Sequence, residues 1–165
     1  MTLPVARLRT AAVFQPFAAE ALREVASRLD GASFAPGEVF RARQDGDRAL
    51  WVLLEGQARV IRPSDEGPLD LGTVEAGGVV GHVGVVLELP DPTQVVAVRH
   101  CLCAELTRAS YTAWLAEGSP TALVFQRILL RSMARQLRLA SQRVAELAAR
   151  PELAEVARER GLLSG

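Results

Sequence analysis

A mainly β domain with helices at both ends is the fold class this sequence predicts, and three observations carry it. Between Ser33 and Leu106, short apolar runs alternate with Gly, Pro and Asp punctuation at intervals of roughly 8 to 12 residues, the spacing of a small barrel or sandwich. On both sides of that stretch the apolar residues recur with helical rather than alternating spacing. The length of 165 residues and mass of 17.7 kDa allow one compact core with an appended element and leave no room for a second full domain.

The elements divide into three segments. In the N-terminal helical segment, residues 1–32, the stretch 18–29 (AAEALREVASRL) places Leu22, Val25 and Leu29 on one face and Glu20, Arg23 and Glu24 elsewhere, a short amphipathic helix ending before Asp30-Gly31. The β segment, residues 33–110, contains strand-like runs at 38–43, 49–55, 58–63, 69–74, 94–99 and 101–106. Between them stand turn signals such as Pro36-Gly37, Asp45-Gly46-Asp47, Glu55-Gly56, Glu66-Gly67-Pro68 and Gly77-Gly78, each with a residue suited to positive or preset φ. In the third segment, residues 111–165, the pattern stays helical from Tyr111 through Arg150. There Leu130, Met133, Leu137, Ala140, Val144 and Leu147 are spaced 3, 4, 3, 4, 3, a narrow heptad seam that calls for a partner helix, with packing on its own barrel as the weaker alternative. Residues 151–165 hold at most one more short helix with a frayed end.

Composition excludes several functions. Nineteen basic residues balance nineteen acidic ones, so no global field draws the chain to nucleic acid or an acidic membrane. No stretch reads as a secretion signal or a membrane span, which places the protein in the cytoplasm. Cys101 and Cys103, two apart on a strand, share a face where a mutual disulfide would be strained, so both are expected as reduced, packed thiols. His82, His100, Cys101 and Cys103 are soft ligand types without metal-binding spacing, and no metal or other cofactor is expected. No nucleophile elbow, phosphate loop or carboxylate pair indicates an enzyme. The one basic patch is a stripe of Arg127, Arg131, Arg135 and Arg138 about opposite the seam, with no acidic residue between Glu117 and Glu146.

One stretch, GHVGVVLELPDPTQVVAV (81–98), interrupts valine runs with a Gly-His-Val-Gly turn and a Pro-Asp-Pro, as if to hold a bent backbone around something. Its context is specific. Phe34, the Pro36-Gly37-Glu38 turn, Phe40, Gly46-Asp47, Leu50-Trp51, Leu53 and Gly56, then LGTVEAGGVVGHVG (71–84) and CLCAELTRASYTAWL (101–115), resemble the cyclic nucleotide-binding domain family of Crp/Fnr-type regulators and kinase regulatory subunits. The resemblance covers roughly residues 8 to 150. It implies an eight-stranded β-barrel, or double-stranded β-helix jelly roll, followed by a long helix through which members of the family form homodimers.

The resemblance also implies a site: a phosphate-binding cassette that opens at Gly-Glu and continues to an Arg followed by Ser or Thr. Here the matching turn is Gly81, His82, Val83 and Gly84, and the later positions fall on Asp91, Pro92 and Thr93. His82 therefore stands for the acid that takes the ribose hydroxyl, and Asp91 for the Arg that neutralises the phosphate. One charge-assisted hydrogen bond to an anion contributes ~1.5 to 3 kcal/mol, so losing the Arg alone weakens a cyclic nucleotide by roughly tenfold to a hundredfold. Pro92 has no amide proton to offer. On the long helix, Ser141 falls where the family's helix touches the base, and Arg138 lies one turn earlier.

The expected function is a non-enzymatic regulatory or sensor domain, homodimeric through the seam, with a degenerate pocket for some small molecule or a surface for a protein partner. No membrane and no direct DNA contact is expected from this chain. The alternatives are the effector part of a Crp/Fnr-type transcription regulator without its helix-turn-helix, which needs roughly 60 or more residues, and a purely structural interaction module.

Overall fold

The computed structural model describes residues 3–40, 48–65, 67–87 and 92–149. The chain forms two compact units, residues 1–128 and residues 129–165.

In the first unit, helix α1 (Val5–Leu8) and a 3-10 turn (Ala12–Phe14) precede α2 (Ala19–Arg28). Helix α2 is the amphipathic segment expected: Leu22 and Val25 are fully buried and Leu29 nearly so. Seven described strands follow: β1 (Asp30–Phe34), β2 (Ala49–Glu55), β3 (Gln57–Arg62), β4 (Leu69–Glu75), β5 (Val79–Val80), β6 (Gln94–Ala97) and β7 (Cys101–Thr107). They make two antiparallel sheets, ordered β1-β7-β2-β5 and β4-β3-β6. This is the mainly β fold with flanking helices; among the described residues the strands form two antiparallel sheets that are not closed into one barrel. The run at 38–43 contributes an isolated bridge, Val39 to Val96, and residues 41–47 lie outside the described residues.

The inner faces of the two sheets enclose one core. Phe34, Ala49, Trp51, Leu53, Ala58, Val80, Val95, Ala97, Cys101 and Cys103 are buried together there. Strand β2 is buried on both faces because its alternate residues serve two interiors. Ala49, Trp51 and Leu53 line the roll, whereas Leu50 and Val52 face the other way beside Leu106 and Ala104 of β7. The β2–β3 link requires glycine. Gly56 has φ 95°, and a Cβ there would lie 2.2 Å from the His100 carbonyl oxygen.

Beyond β7 the chain departs from the uninterrupted helical pattern expected from Tyr111. Helix α4 (Arg108–Ala116), capped by Thr107 Oγ1 accepting from the Ser110 amide at 3.2 Å, ends at Gly118 with φ 69°. Helix α5 (Pro120–Ala148) then starts afresh, with Pro120 at its first position and the Ser119 hydroxyl accepting from the Thr121 amide at 3.1 Å. A left-handed glycine plus a capping serine stops one helix and begins another, a break that apolar spacing alone conceals.

The second unit contains α5 from Leu129 onward. Of the seam residues, Leu130, Leu137, Ala140 and Val144 are exposed, Leu137 by 70% and Val144 by 66%, and Met133 is half-buried. Leu147 lies in the last turn of α5, and its side chain is outside the described set. Among the described residues no helix is long and apolar enough to cross a membrane.

Candidate functional site

Strand β5 delivers the chain to Gly81, which adopts φ 73° and ψ −2° and caps helix α3 (His82–Val86). Two constraints exclude a side chain here. The φ is left-handed, and a Cβ would stand 2.3 Å from the Ala49 carbonyl oxygen and 3.0 Å from the Trp51 ring. The turn is thus pressed against β2, and the Gly-His-Val-Gly sequence supplies the one residue type that fits.

His82 opens the short helix and is only 3% exposed. Gly84 and Val85 are buried with it, Val83 is half-buried, and the Leu87 amide closes the helix on the Val83 carbonyl at 3.0 Å. Pro92 is exposed and Thr93 half-buried where the chain returns to β6. Asp91 lies outside the described residues. Gly81, His82, Val83 and Gly84 therefore form one turn against the roll. Arg138 and Ser141 are exposed on α5 in the second unit.

Around the turn, the roll presents aromatic rings. Phe34 and Phe40 stack with centroids 4.1 Å apart, and Trp51 meets them edge-on at 6.4 and 5.8 Å. The Trp51 indole Nε1 is buried and makes no hydrogen bond. On the strand beside it, Glu105 of β7 is paired across the ladder with Trp51 and is 2% exposed. The sequence reading missed Glu105, although a signal was present: a lone acid inside the apolar run CLCAEL. Residues 81–98 contain no Arg or Lys. That segment therefore supplies no guanidinium or ammonium of its own to meet an anion.

The cysteines belong to packing. Both are free and buried in the roll, and burial pushes each thiol above its ordinary range, Cys103 most strongly. The Cys101 thiol donates to the Gln57 and Arg99 carbonyls at 3.3 and 3.2 Å. His100 sits on an exposed turn, its Nε2 2.9 Å from the Ser33 hydroxyl. A groove of about 420 Å³ on the second sheet, lined by Arg59, Ile61, Pro68, Asp70 and Val96 to Val98, involves no residue of the Gly81 turn.

A family model described as cyclic nucleotide-binding domain matches residues 32–117. Among solved structures, the chain is similar to a cyclic nucleotide-binding domain from Methylobacillus flagellatus KT, at 18% identity and TM-score 0.75, covering 86% of this chain and 83% of that one. It is similar to the catabolite activator protein of Thermus thermophilus, at 22% identity and TM-score 0.68, covering 82% of this chain and 62% of that one. A third is the regulatory subunit of a cAMP-independent protein kinase A from Trypanosoma cruzi, bound to guanosine, at 20% identity and TM-score 0.58, covering 78% of this chain and 49% of that one. The chain thus spans less than two thirds of the length of the second and third.

Proposed function

Given that this chain belongs to the cyclic nucleotide-binding domain family, we propose that it is a cytoplasmic, non-enzymatic regulatory domain whose pocket takes a small neutral ligand in place of cyclic AMP or cyclic GMP. One observation carries the reading: at the family's glutamate position stands His82, buried in the first turn of α3, on a segment from 81 to 98 with no Arg or Lys to meet a phosphate. Asp91 and Pro92, at the positions of the cassette's Arg and Ser or Thr, add a negative charge and remove an amide donor. The guanosine-bound kinase subunit gives a precedent in this fold for a nucleoside without phosphate.

Calorimetric titration against cyclic AMP, cyclic GMP and guanosine tests this reading. No heat from either cyclic nucleotide at micromolar concentration is expected, and a micromolar or tighter constant for one of them overturns it. The triple variant His82→Glu, Asp91→Arg, Pro92→Ser is expected to gain cyclic AMP affinity by at least tenfold, one charge-assisted contact being worth about that much.

The regulatory output we assign to the seam. Leu130, Met133, Leu137, Ala140, Val144 and Leu147 repeat with heptad spacing, and the exposed ones leave apolar surface that a second copy would cover. Ligand binding in the first unit would act by biasing how two such helices pair. Sedimentation equilibrium at tens of micromolar is expected to show dimer, and Leu137→Glu with Val144→Glu to show monomer. A monomeric parent protein would remove this part of the reading. The fold likeness to the Thermus activator favours, as a second reading, the effector part of a Crp-type transcription regulator. The length of the open reading frame distinguishes the two.

A further inference from the structure

Beyond the pocket and the seam, α5 carries a third feature that neither uses. Between Gly118 and Ala145 the chain has five arginines and no acidic residue, in a protein whose total charge is zero. In the second unit, Arg131, Arg135, Arg138 and Arg143 are all exposed. Among the described residues none of the four has an ion pair.

At about 100° per residue, Arg131, Arg135, Arg138 and Gln142 fall within an arc of about 60°, while the seam residues lie on roughly the opposite side. With Leu130 and Leu137 as the first heptad positions, these four occupy the second and sixth, which stay outermost when two helices pair along the seam. Homodimerisation therefore leaves the stripe accessible. It does not explain its charge.

Solubility does not explain it either. A helix face that only needs water is best served by mixed signs, since Glu and Arg four apart support the helix and two Arg four apart repel. Arg131 and Arg135 are such a like-charged pair. A single-signed row that works against its own helix is accounted for by a partner of opposite sign.

We propose that this outward face of α5 docks an acidic amphipathic helix of a partner protein. The spacing favours a helix: the guanidinium stems rise by about 6 Å from Arg131 to Arg135 and about 4.5 Å from Arg135 to Arg138, the separations of carboxylates at i, i+4 and i+7 on a second helix. Arginine pairs with carboxylate in bidentate fashion, which adds direction to the attraction. A nucleic acid fits less well. No aromatic side chain lies between residues 129 and 148 to stack on bases, and the remainder of the chain carries the compensating negative charge that would repel a long polyanion.

The test uses the whole chain and a fluorescein-labelled synthetic helical peptide with glutamates at i, i+4 and i+7 over two repeats, followed by anisotropy. Binding is expected that weakens at least fivefold between 50 and 300 mM salt. Arg131→Glu with Arg135→Glu should weaken it at least tenfold, whereas Arg23→Glu with Arg62→Glu, the same change of charge elsewhere, should change it less than twofold. A peptide of identical composition with its glutamates distributed around the helix should bind at least threefold more weakly. Absence of binding, equal loss from both charge-reversal pairs, or equal affinity for the two peptides overturns the proposal. So does tighter binding of a 20-nucleotide single-stranded DNA or of phosphatidylserine vesicles than of the peptide. Neither Arg131 nor Arg135 belongs to the pocket or the seam, so the result is separate from the outcome of the nucleotide titration.

Discussion

Two regions of the first unit are each built on a tryptophan packed with phenylalanines, and they differ in what becomes of the indole N–H. Under the helices, Trp114 lies 5.5 Å from Phe125, which in turn stacks on Phe14 at 6.5 Å. The Trp114 Nε1 donates to Glu24 at 2.9 Å, and the same carboxylate oxygen takes the Ser119 hydroxyl that begins α5. Next to them Arg28 reaches Glu117 with both terminal nitrogens. Inside the roll, Trp51 packs on Phe34 and Phe40 just as closely, but its N–H is buried and meets no acceptor. An unmet buried donor costs about 1 to 3 kcal/mol. The helical region uses the Trp114 N–H, the Ser119 hydroxyl and the terminal nitrogens of Arg28 to fasten α2 to the α4–α5 corner. The roll leaves the Trp51 N–H unfastened beside the Gly81 turn.

The contrast can be broken in three places. The largest effect is expected at the turn itself. Gly81→Ala introduces a methyl against a backbone oxygen at 2.3 Å on a left-handed residue, which should cost about 3 kcal/mol or more in urea unfolding. A loss under about 1 kcal/mol would mean that the turn is not pressed on β2 as described.

Next come the two tryptophans. Trp114→Phe and Trp51→Phe remove similar volume, but only the first loses a hydrogen bond. The first is therefore expected to destabilise by about 1 to 3 kcal/mol more than the second. Equal losses would show that the Trp51 N–H is as well satisfied in solution as that of Trp114.

The smallest effect concerns pH. Hydrogen bonds from Ser119, Thr121 and Trp114, with the nearby Arg28 charge, hold Glu24 below its ordinary value of 4.5. A carboxylate with a lowered pKa stabilises the fold above its unfolded pKa, and that contribution is lost as pH falls through the folded value. Glu24→Gln should therefore lower Tm at pH 7, with the deficit shrinking as pH falls below the usual glutamate range and through the lowered folded value. A deficit constant with pH would assign Glu24 a role in packing alone.

Much of the fold was legible because it follows from period and punctuation. Helix α2 appears where Leu22 and Val25 recur, and β2, β3, β4, β6 and β7 fall on the runs that alternate or are rich in valine and leucine. Strand β1 was not legible. Its sequence, DGASF, buries only Gly31 and Phe34, and it is a strand because β7 pairs with it from Asp30–Glu105 to Phe34–Cys101. Strand β5 has only two residues, too few to carry a pattern. The helix break at Gly118 hid within a continuing apolar period.

For the site, the turn could be located from Gly81 and His82 alone, since a motif of local spacing survives in one dimension. The pairing of Glu105 with Trp51 could not, because it joins strands distant in the chain, although Glu105 itself stood out as a lone acid in an apolar run.

The sequence by itself determined the class of fold, the family pattern, the Gly81-His82 turn and the single-signed charge of the long helix. All of these are properties of neighbours along the chain. Only the tertiary structure decided that His82 is buried, that Trp51 closes on the Gly81 turn with its N–H unmet and that Glu105 stands across from it inside the roll. Burial and strand pairing depend on segments brought together by folding, and those are set by which surfaces exclude water together rather than by any short stretch of residues.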